Sequence, residues 1–492
     1  MSVWFVLAPL LTVGIGGLVA MLVDAFDGER ADLALLSTVV FVAAGTIAGA
    51  VWHTGLPPVV PEGVAPYLAV DGLTQFFTIV ICAGSALSAL LAGGYLAEHG
   101  IERGEYYVIL LFSAFGAMVL AAATDLLTIF IGLETMSLGV YCLVSYRRGN
   151  PRAAEAGMKY FLLGSFAAAI LLFGSALLYG ATGHTDLAGI GKAVHEGHAA
   201  LPLLILGLVM VIIGLAFKVS AVPFHMWTPD AYEGAVTPAT TFMSVAVKVA
   251  AFAALMRVLV TGFSDPLAAD ASSGWPAALA ILAAITMVVG NAGAVMQASV
   301  KRMLAYSSIA HAGYLLIGVA AMFGARPLAV SAVLYYLAAY TVSNALAFGS
   351  LILLGSYRKE AVTYADLAGA GRRHPLAGLA FGLGVLSLMG FPPTAGFFGK
   401  WYVFNAALAA GDQFVWLVIL GVLTSVVGGY YYLRVVVVMF MQSPVEGAPI
   451  AVPMRSNYVV TALALAAFFV LKMGVTPQAY IDLALAAARG LG

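Results

Sequence analysis

Charged residues and cysteines are scarce in this sequence, and their scarcity excludes several classes of protein. Only 9% of the 492 residues are charged, against about 25% in soluble domains. The formal net charge is −1 and no block of basic residues occurs, so we expect no nucleic-acid partner. Neither a CxxC pair nor a glycine-rich phosphate loop is present, so we expect no metal and no cofactor in this chain. The two cysteines, Cys82 and Cys142, lie in apolar runs and are interpreted as small lipid-facing or core residues.

Hydrophobic residues are abundant instead. They make up 62% of the chain, and the mean hydropathy is +1.01, which is typical of a protein that crosses the membrane many times. The first apolar run has no basic segment before it and no cleavage pattern after it, so we expect it to be retained rather than removed as a signal peptide. One crossing needs roughly 20 apolar residues. This length predicts fourteen spans, near 3–23, 33–52, 71–93, 106–123, 125–146, 154–181, 201–222, 236–261, 275–296, 302–323, 327–355, 375–410, 414–441 and 456–474.

Two of these regions carry prolines that interrupt a continuous helix. The segment AFKVSAVPFHMWTPDAYEG at 216–234 contains Pro223, and GFPPTAGFFGK at 390–400 contains two adjacent prolines. A proline inside a helix removes a backbone hydrogen bond. Irregular backbone at membrane depth is tolerated only where it is buried in protein or lines a hydrated cavity. We therefore predict a broken helix at each segment.

The distribution of lysine and arginine predicts the orientation, because cytoplasmic loops are enriched in both. With the N-terminus outside, the outer loops hold only Lys192, Arg257, Arg326 and Arg489, whereas the cytoplasmic loops hold Arg30, Arg103, Arg147, Arg148, Arg152, Lys301, Arg302, Arg358, Lys359, Arg372, Arg373 and Arg455. The even number of spans then places the C-terminus outside as well.

Ionisable residues inside the spans are the chemical signal of this sequence: Glu134, Lys159, Lys218, Lys248, Lys400, Arg434 and Lys472. A charge at the centre of a membrane helix costs roughly 2.5–3.5 kcal/mol, and such residues usually mark ion or proton paths. Glu134 lies about 14 Å into its span and Lys248 about 18 Å. Lys218 and Lys400 lie beside the two proline segments. We expect these four residues to be functional.

A bland explanation stays open for the other three. Lys159 lies near the start of its span, so its ammonium could reach the membrane interface by snorkelling. Arg434 and Lys472 could equally have a structural or lipid-facing role.

Lysine is a suitable side chain for moving protons through a membrane. Burial disfavours its charged form, and a nearby carboxylate favours that form again. A buried lysine near a glutamate can therefore take up and release a proton, whereas arginine remains protonated.

Four segments resemble a known family: AGMKYFLLGSFAAAILLFGSALLYGATG, AFKVSAVPFHMWTPDAYEGA, KRMLAYSSIAHAGYLLIG and GFPPTAGFFGKWYVF. In this order, over about residues 70–440, they resemble the subunit N family of respiratory complex I, which belongs to the antiporter-like proteins shared with Mrp cation/proton antiporters. The resemblance implies an all-α polytopic membrane protein of about 14 transmembrane helices, with two inverted five-helix repeats that each contain a broken helix. The implied units are N-terminal helices over 1–104, a first repeat over 105–262, a second repeat over 275–441, and a last helix with a tail over 456–492.

The resemblance also implies a proton relay. Glu134 and Lys218 match the ion pair of the family, and Lys248 and Lys400 match the lysines that continue the relay. Lys400 further distinguishes this chain from subunit M and its Mrp relatives, which have glutamate on the twelfth helix. Subunit L would carry a long C-terminal lateral helix, and no room for one remains after the last span.

Three further residues match polar positions of the family. Lys159 matches an additional lysine of the sixth helix, and His225 and His311 match the central hydrated path. A lone histidine in a helix bundle is about as often a hydrogen-bonded packing element, so both explanations stay open for His225 and His311.

The function implied is that of a proton-translocating subunit of NADH:quinone oxidoreductase in the bacterial cytoplasmic membrane. Other complex I membrane subunits, including antiporter-like neighbours, and the lipid bilayer are the implied partners. NADH, FMN, iron–sulfur clusters and quinone are expected in partner subunits, with no redox centre in this chain. Two alternatives remain: a stand-alone or Mrp-type Na⁺(K⁺)/H⁺ antiporter, and a scaffold whose buried charges only pack against partners.

Overall fold

The computed structural model describes residues 3–27, 32–56, 61, 63–266, 268–270, 273–355, 360, 362–444 and 452–489. Within these ranges, thirteen helices are long and apolar enough to cross a membrane. Two shorter helices over 375–409 form a further crossing, so the predicted all-helical fold with about fourteen crossings is confirmed. Arg30, Arg358, Lys359 and both chain ends, on which the predicted orientation partly depends, lie outside the described residues.

The first half of the chain contains eight crossings. Six of them precede the broken crossing: α1 (Val3–Asp27), α2 (Leu33–His53), α3 (Gly72–His99), α4 (Glu105–Ala122), α5 (Leu126–Val144) and α6 (Pro151–Thr182). The short helix α7 (Leu187–His195) leads to α8 (Leu201–Val219), the break, and α9 (Trp227–Gly234). The eighth crossing consists of α10 (Thr237–Phe242), a π-helical turn (Met243–Val247), α11 (Lys248–Arg257) and a second π-helical turn (Val258–Gly262).

The second half repeats this plan with a break of its own. Its helices are α12 (Trp275–Val295), α13 (Val300–Ala321), α14 (Arg326–Leu353), the short α15 (Tyr364–Leu367) and α16 (Ala370–Arg373), the broken pair α17 (Pro375–Met389) and α18 (Ala395–Ala409), α19 (Val415–Met441), α20 (Asn457–Val475) and α21 (Pro477–Ala488). The residues after the last crossing, predicted as a tail, therefore include a helix. It packs against α3 and α14.

Short polar side chains set where several helices begin. Asp71, Asp125 and Asn150 accept hydrogen bonds from backbone N–H groups in the first turns of α3, α5 and α6. These groups have no partner within the helix, so the caps satisfy donors that would otherwise lack one.

The helices differ strongly in how deeply they are buried. Helices α3, α13 and α14 and the eighth crossing are almost wholly enclosed by protein, whereas fewer than half of the residues in α1, α2, α6, α19 and α20 are buried. The outer helices therefore offer apolar surface to lipid or to neighbouring subunits. The residues for which we expect function on α11 and α13 lie in the protein interior.

The two predicted breaks are present, but the second is shorter than predicted. Backbone over 390–394 separates α17 from α18, so Lys400 lies inside α18 and not in unwound chain. Close packing lets α18 begin early, because a Cβ at Gly396 would overlap the carbonyl oxygen of Ser387. Each break contains a cis peptide bond, before Pro223 and before Pro393.

A buried ion pair joins α3 to the eighth crossing at the end of the bundle away from the arginine-rich loops. Arg257 is 3% exposed, donates to both carboxylate oxygens of Asp71 at 2.8 Å, and donates to Thr74 Oγ1 at 2.6 Å and to the Ala121 carbonyl at 3.0 Å. This geometry is the bidentate pairing that suits arginine.

Asp71→Asn should therefore destabilise the subunit. Removing one member of a buried pair leaves the other charge uncompensated, at a cost of about 3–5 kcal/mol. We expect a lower unfolding temperature for the purified complex in differential scanning fluorimetry. Glu105→Gln, which breaks an exposed pair with Arg148, is the matched control and should leave it unchanged. Equal unfolding temperatures for both variants would show that the Asp71–Arg257 pair contributes little.

Candidate functional site

Lys218 lies at the end of α8 in an aromatic pocket. It is 2% exposed, and its Nζ donates to the Tyr141 hydroxyl at 3.2 Å. The rings of Tyr141, Tyr160 and Phe217 have their centroids between 5.2 and 5.5 Å from the ammonium nitrogen. Aromatic faces attract a cation, so this pocket accommodates the charge without a carboxylate in direct contact.

The break after Lys218 is held by specific hydrogen bonds. Trp227 stacks on Tyr160 with centroids 4.1 Å apart, and its Nε1 donates to the carbonyl of Phe217 at 3.0 Å. Ser220 adopts φ 67°, a left-handed conformation that is uncommon outside glycine, and accepts a hydrogen bond from Thr228 at 2.9 Å. The break therefore places Lys218 in a fixed backbone frame.

Glu134 does not form the direct ion pair that the resemblance implies. Among the residues that the structure describes, no cation lies within 4.0 Å of its carboxylate, and its buried Oε1 has no hydrogen-bond partner. Because α8 places Lys218 in the tyrosine pocket, its ammonium donates a hydrogen bond to Tyr141 instead. Leu127, Ile131 and Leu138, which share the helical face of Glu134, are all more than half exposed. The unpaired carboxylate therefore lies at the edge of an outward-facing apolar surface.

Lys248 lies at the centre of the bundle, 1% exposed. Its Nζ donates to the carbonyl and to the hydroxyl of Ser308, both at 2.6 Å, and lies 5.5 Å from the ring centroid of Tyr340. Lys248 directly follows the π-helical turn Met243–Val247. Such turns are frequent at functional sites, and this one has no signature that the sequence patterns detect.

His311, one turn after Ser308 on α13, links hydroxyl groups from two other helices. It is 2% exposed, with Nδ1 2.8 Å from the Tyr336 hydroxyl and Nε2 3.1 Å from the Tyr432 hydroxyl. Its ring centroid is 5.1 Å from that of Tyr340, whose hydroxyl donates to Ser308 at 2.8 Å. His311 is thus hydrogen-bonded on both ring nitrogens and adjoins the site of Lys248.

Lys400 lies at the far end of the same row of groups. Its Nζ donates to the Met389 carbonyl at 2.8 Å and to Ser425 Oγ at 2.7 Å. The Tyr314 ring centroid is 4.9 Å away and lies 5.8 Å from that of His311. Lys400 therefore reaches back to the break and satisfies a carbonyl that α17 leaves unpaired at its end.

From Lys248 the contacts toward Lys400 are hydrogen bonds as far as Tyr340 and ring contacts beyond it. From Lys218 they are ring contacts as far as Tyr232. Between Lys218 and Ser308, the described residues provide aromatic rings and one hydroxyl, Tyr232, whose oxygen is 3.4 Å from Ser308 Oγ. No hydrogen bond between described residues joins Lys218 to Tyr232. The row of contacts follows the order Lys248, Ser308, Tyr340, His311, Tyr314, Lys400.

Lys159 lies apart from this row, in a charged cleft of about 500 Å³ at the end of the bundle. Its side chain is 47% exposed, and its Nζ pairs with Glu155 at 2.7 Å and with Asp230 at 3.0 Å. Arg302 pairs with Asp230 at 2.7 Å and with Glu233 at 3.0 Å. This position agrees with the snorkelling explanation.

Lys159→Met should change turnover of the assembled enzyme by less than about twofold, because exposed ion pairs contribute little and Arg302 still neutralises Asp230. NADH:quinone activity of membranes carrying the variant, compared with Lys192→Met at an exposed site, checks this. A tenfold loss would place Lys159 in the proton path.

The remaining ionisable candidates show no link to the row. His225 is partly buried in the first break and makes no described hydrogen bond to the lysines. Arg434 lies over the Tyr364 ring at 4.1 Å, and Lys472 over the Phe468 ring at 5.5 Å. Both cysteines are free thiols, Cys82 buried and Cys142 exposed.

The sequence patterns missed the hydroxyl groups of the row. Ser308, Tyr336, Tyr340 and Tyr432 come from α13, α14 and α19, and serine and tyrosine are common in membrane helices. Only the three-dimensional arrangement shows that they surround Lys248 and His311. Tyr336 and Tyr340, four residues apart on one face of α14, were the single local pattern that indicated hydroxyl groups at this site.

Comparison with known proteins identifies similar sequences along most of the chain. Residues 123–428 match the family model described as "NADH:quinone oxidoreductase/Mrp antiporter, TM". The chain is 55% identical to NADH-quinone oxidoreductase subunit N 1 of Sorangium cellulosum over 502 aligned residues, covering 98% of both chains. It is 42% identical to NADH-quinone oxidoreductase subunit N of Myxococcus xanthus, over 96% of this chain and 94% of that one.

Solved structures agree on the fold. A chain of respiratory complex I from Thermus thermophilus superposes with a TM-score of 0.78 at 34% identity, covering 96% of this chain and 98% of that chain. A chain of the Mrp complex from a Dietzia species superposes with a TM-score of 0.85 at 23% identity, covering 100% of this chain and 98% of that one. The second likeness concerns the fold alone.

Proposed function

Since this chain belongs to the NADH:quinone oxidoreductase/Mrp antiporter family, and within it to the NADH-quinone oxidoreductase subunit N proteins, we propose that its buried lysines form the proton path of a proton-translocating membrane subunit. The chain is a multi-pass membrane subunit of a respiratory complex. The path crosses the interior of the bundle from Glu134 and Lys218, through Lys248 and His311, to Lys400.

The observation that carries this proposal is the row of buried polar side chains that contact one another from Lys248 to Lys400. In the described part of the chain, two lysines that are both at least 93% buried have no carboxylate within 4.0 Å, and each ammonium donates to a serine hydroxyl and a carbonyl. A merely structural charge at such depth is normally paired. Unpaired lysines joined by hydroxyl groups and an imidazole are what a proton relay requires.

Each group in the row can pass a proton on. A serine or tyrosine hydroxyl both donates and accepts, and a neutral histidine has one donor and one acceptor nitrogen. A lysine that releases its proton becomes neutral, which changes the energy of the next ammonium by several kcal/mol because the effective dielectric is low. A charge arriving at one end of the row therefore favours release at the other.

The two ends of the path lie near the protein surface, which supports coupling to neighbouring subunits. Glu134 borders the exposed apolar face of α5. Ser425, the partner of Lys400, is partly exposed on α19 between Val422 and Val426, which are 48% and 71% exposed. We propose that antiporter-like neighbours cover both faces and exchange charge with the path. Whether Lys400 also releases protons to the outer side is a separate question, answered by ordered water in an experimental map.

The proposed domain organisation follows the positions of the breaks. In each run of five crossings, over 105–262 and 275–441, the fourth crossing is the broken one. Because consecutive crossings alternate in direction, a second run that starts after five crossings is inverted relative to the first. The N-terminal helices over 1–104 and the segment over 456–492 would flank these repeats. We place both chain ends on the outer side of the bacterial cytoplasmic membrane.

The proposed subunit binds no redox centre. NADH, FMN, iron–sulfur clusters and quinone would be bound by partner subunits, to which this chain is coupled through charge. A stand-alone or Mrp-type antiporter is the second candidate function, which the family model shared with Mrp antiporters and the fold of the Mrp chain favour.

Purification of the native complex distinguishes the two candidates. We expect this chain to copurify with flavin and iron–sulfur absorbance and with NADH:quinone activity that is coupled to proton uptake. The isolated chain in liposomes should exchange neither Na⁺ nor K⁺ for protons. A complex without these chromophores, together with cation/proton exchange by the isolated chain, would contradict the proposal.

A further inference from the structure

The charged cleft beside Lys159 ends at a carboxylate that the lysine row does not include. Glu360 lies in the connection between α14 and α15, with its side chain 21% exposed, and lines the cleft together with Arg147, Arg152 and Arg302. Arginine-rich loops mark this end of the bundle as the one we assign to the cytoplasm.

Three helices deliver hydrogen-bond donors to Glu360. The Tyr95 hydroxyl of α3 donates to Oε1, Thr237 of α10 donates to Oε1 at 2.8 Å, and Lys301 of α13 donates to Oε2 at 3.2 Å. Lys301 is itself 1% exposed and also donates to the Ala235 carbonyl at 2.7 Å. Glu360 is therefore the point where α3, α10 and α13 meet the cleft.

These contacts favour the ionised form of Glu360. Burial alone would raise the pKa of Glu360, but the charge of Lys301 and the hydrogen bonds from Tyr95, Thr237 and Lys301 hold that pKa below its ordinary value. The carboxylate is thus ionised at neutral pH while it remains open to the cleft.

A row of buried hydroxyl groups leads from Glu360 to Lys248. Thr237, Thr241 and Ser244 are each at most 3% exposed, and their spacing places them with Lys248 on one face of the eighth crossing. The Thr241 hydroxyl donates to the Thr237 carbonyl at 3.0 Å, and the Ser244 hydroxyl to the Thr241 carbonyl at 2.8 Å.

Hydroxyl groups in membrane helices often only bond their own backbone. This row differs because it begins at a buried carboxylate and ends at a buried lysine. The last hydroxyl, Ser244, lies within the π-helical turn Met243–Val247 that precedes Lys248, and the wider turn changes which carbonyl groups are free to accept hydrogen bonds.

We propose that Glu360 loads protons from the charged cleft and passes them along Thr237, Thr241 and Ser244 to Lys248; this rests on the proposed function of Lys248. The carboxylate takes a proton from water in the cleft and becomes a neutral acid, which weakens its attraction to Lys301. It returns to the carboxylate when the proton moves through Thr237, and through water along the face lined by Thr241 and Ser244, to neutral Lys248, which becomes an ammonium. One proton enters and one moves on, and no other reactant is needed.

The charged and titratable groups that face Glu360 come from each element around it. They are Tyr95 and His99 from α3, Arg147 from the loop after α5, and Lys301 from α13. Among the residues that the structure describes, Glu360 alone is bonded both to the hydroxyl of Thr237 and to a group of the cleft wall, Tyr95.

The test is the pH profile of the reconstituted complex with Glu360→Gln. Without the carboxylate, uptake depends on the proton concentration in the cleft. We therefore expect turnover and proton uptake to fall about tenfold at pH 8 and less than about twofold at pH 6, with Glu360→Asp restoring the profile. Glu105→Gln, at an exposed pair, should retain the wild-type profile. A second variant, Thr237→Val, keeps the carboxylate but removes the first hydroxyl, and should show the same selective loss at high pH.

The possible results separate this proposal from the function on which it rests. A loss of equal size at every pH, in both Glu360→Gln and Thr237→Val, would make the cluster structural and would overturn the loading role. A wild-type pH profile in Thr237→Val would show that the hydroxyl row has no part in proton transfer. Failure of the relay itself would instead appear as normal pumping in Lys248 variants, whatever Glu360 variants do.

Discussion

Lys248→Met is expected to lower NADH:quinone turnover and proton pumping together, by at least about tenfold, although no redox centre is proposed in this chain. Methionine keeps the length and apolar stem of lysine, so the pocket formed by Ser308 and Tyr340 remains filled. What is lost is the ammonium that takes up and releases a proton between the eighth crossing and His311. Because transport and turnover are coupled, a blocked path slows both.

A charge-retaining variant sharpens this prediction. Lys248→Arg preserves a cation but cannot release its proton, so we expect it to be as inactive as Lys248→Met. The larger guanidinium also strains a fully buried site, which is why the two variants are needed together. Lys472→Met, at an exposed lysine on α20, is the matched control for the methionine change. Near-normal pumping by Lys248→Arg would show that a fixed charge suffices at this position.

Glu134→Gln should reduce coupled turnover several-fold, and its effect should depend on Lys218. The carboxylate is the only acidic group proposed for the start of the path, and Lys218 lies in a tyrosine pocket without a direct counter-ion. If the two charges act as a unit across that gap, removing both should cost little more than removing one.

A double-mutant cycle measures this coupling. Turnover and proton uptake are compared for Glu134→Gln, Lys218→Met and the double variant, with Glu105→Gln as the control for loss of a carboxylate. We expect the turnover of the double variant to be about equal to that of the less active of the two single variants. Losses that multiply would mean that the two residues act independently, and wild-type activity of Glu134→Gln would remove this carboxylate from the mechanism.

Helical spans and breaks could be predicted because they depend on local properties. Roughly 20 apolar residues make a crossing, and the prolines at 223 and 392–393 prevent a continuous helix. The extent of the second break could not be predicted this way. It depends on how closely Gly396 approaches Ser387, and that packing lets α18 begin before Lys400.

Buried lysines could be found from sequence, but their partners could not. The depth of Lys248 and Lys400 follows from their distance along a span. That Lys248 bonds Ser308, and that Lys218 bonds Tyr141 rather than Glu134, depends on helices far apart in the chain. The same limit concealed Glu360, because its role depends on Tyr95, Thr237 and Lys301 from three separate helices.

The most direct test of the proton path is the number of protons translocated per NADH oxidised by the complex in sealed proteoliposomes. Lys248→Met and Lys400→Met should each slow NADH oxidation and proton translocation together by at least about tenfold, with a ratio no higher than that of the wild type, while Lys472→Met keeps both the ratio and the rate of the wild type. If Lys248→Met and Lys400→Met both retained the wild-type ratio at the wild-type rate, the row from Lys248 to Lys400 would not be the path of the protons.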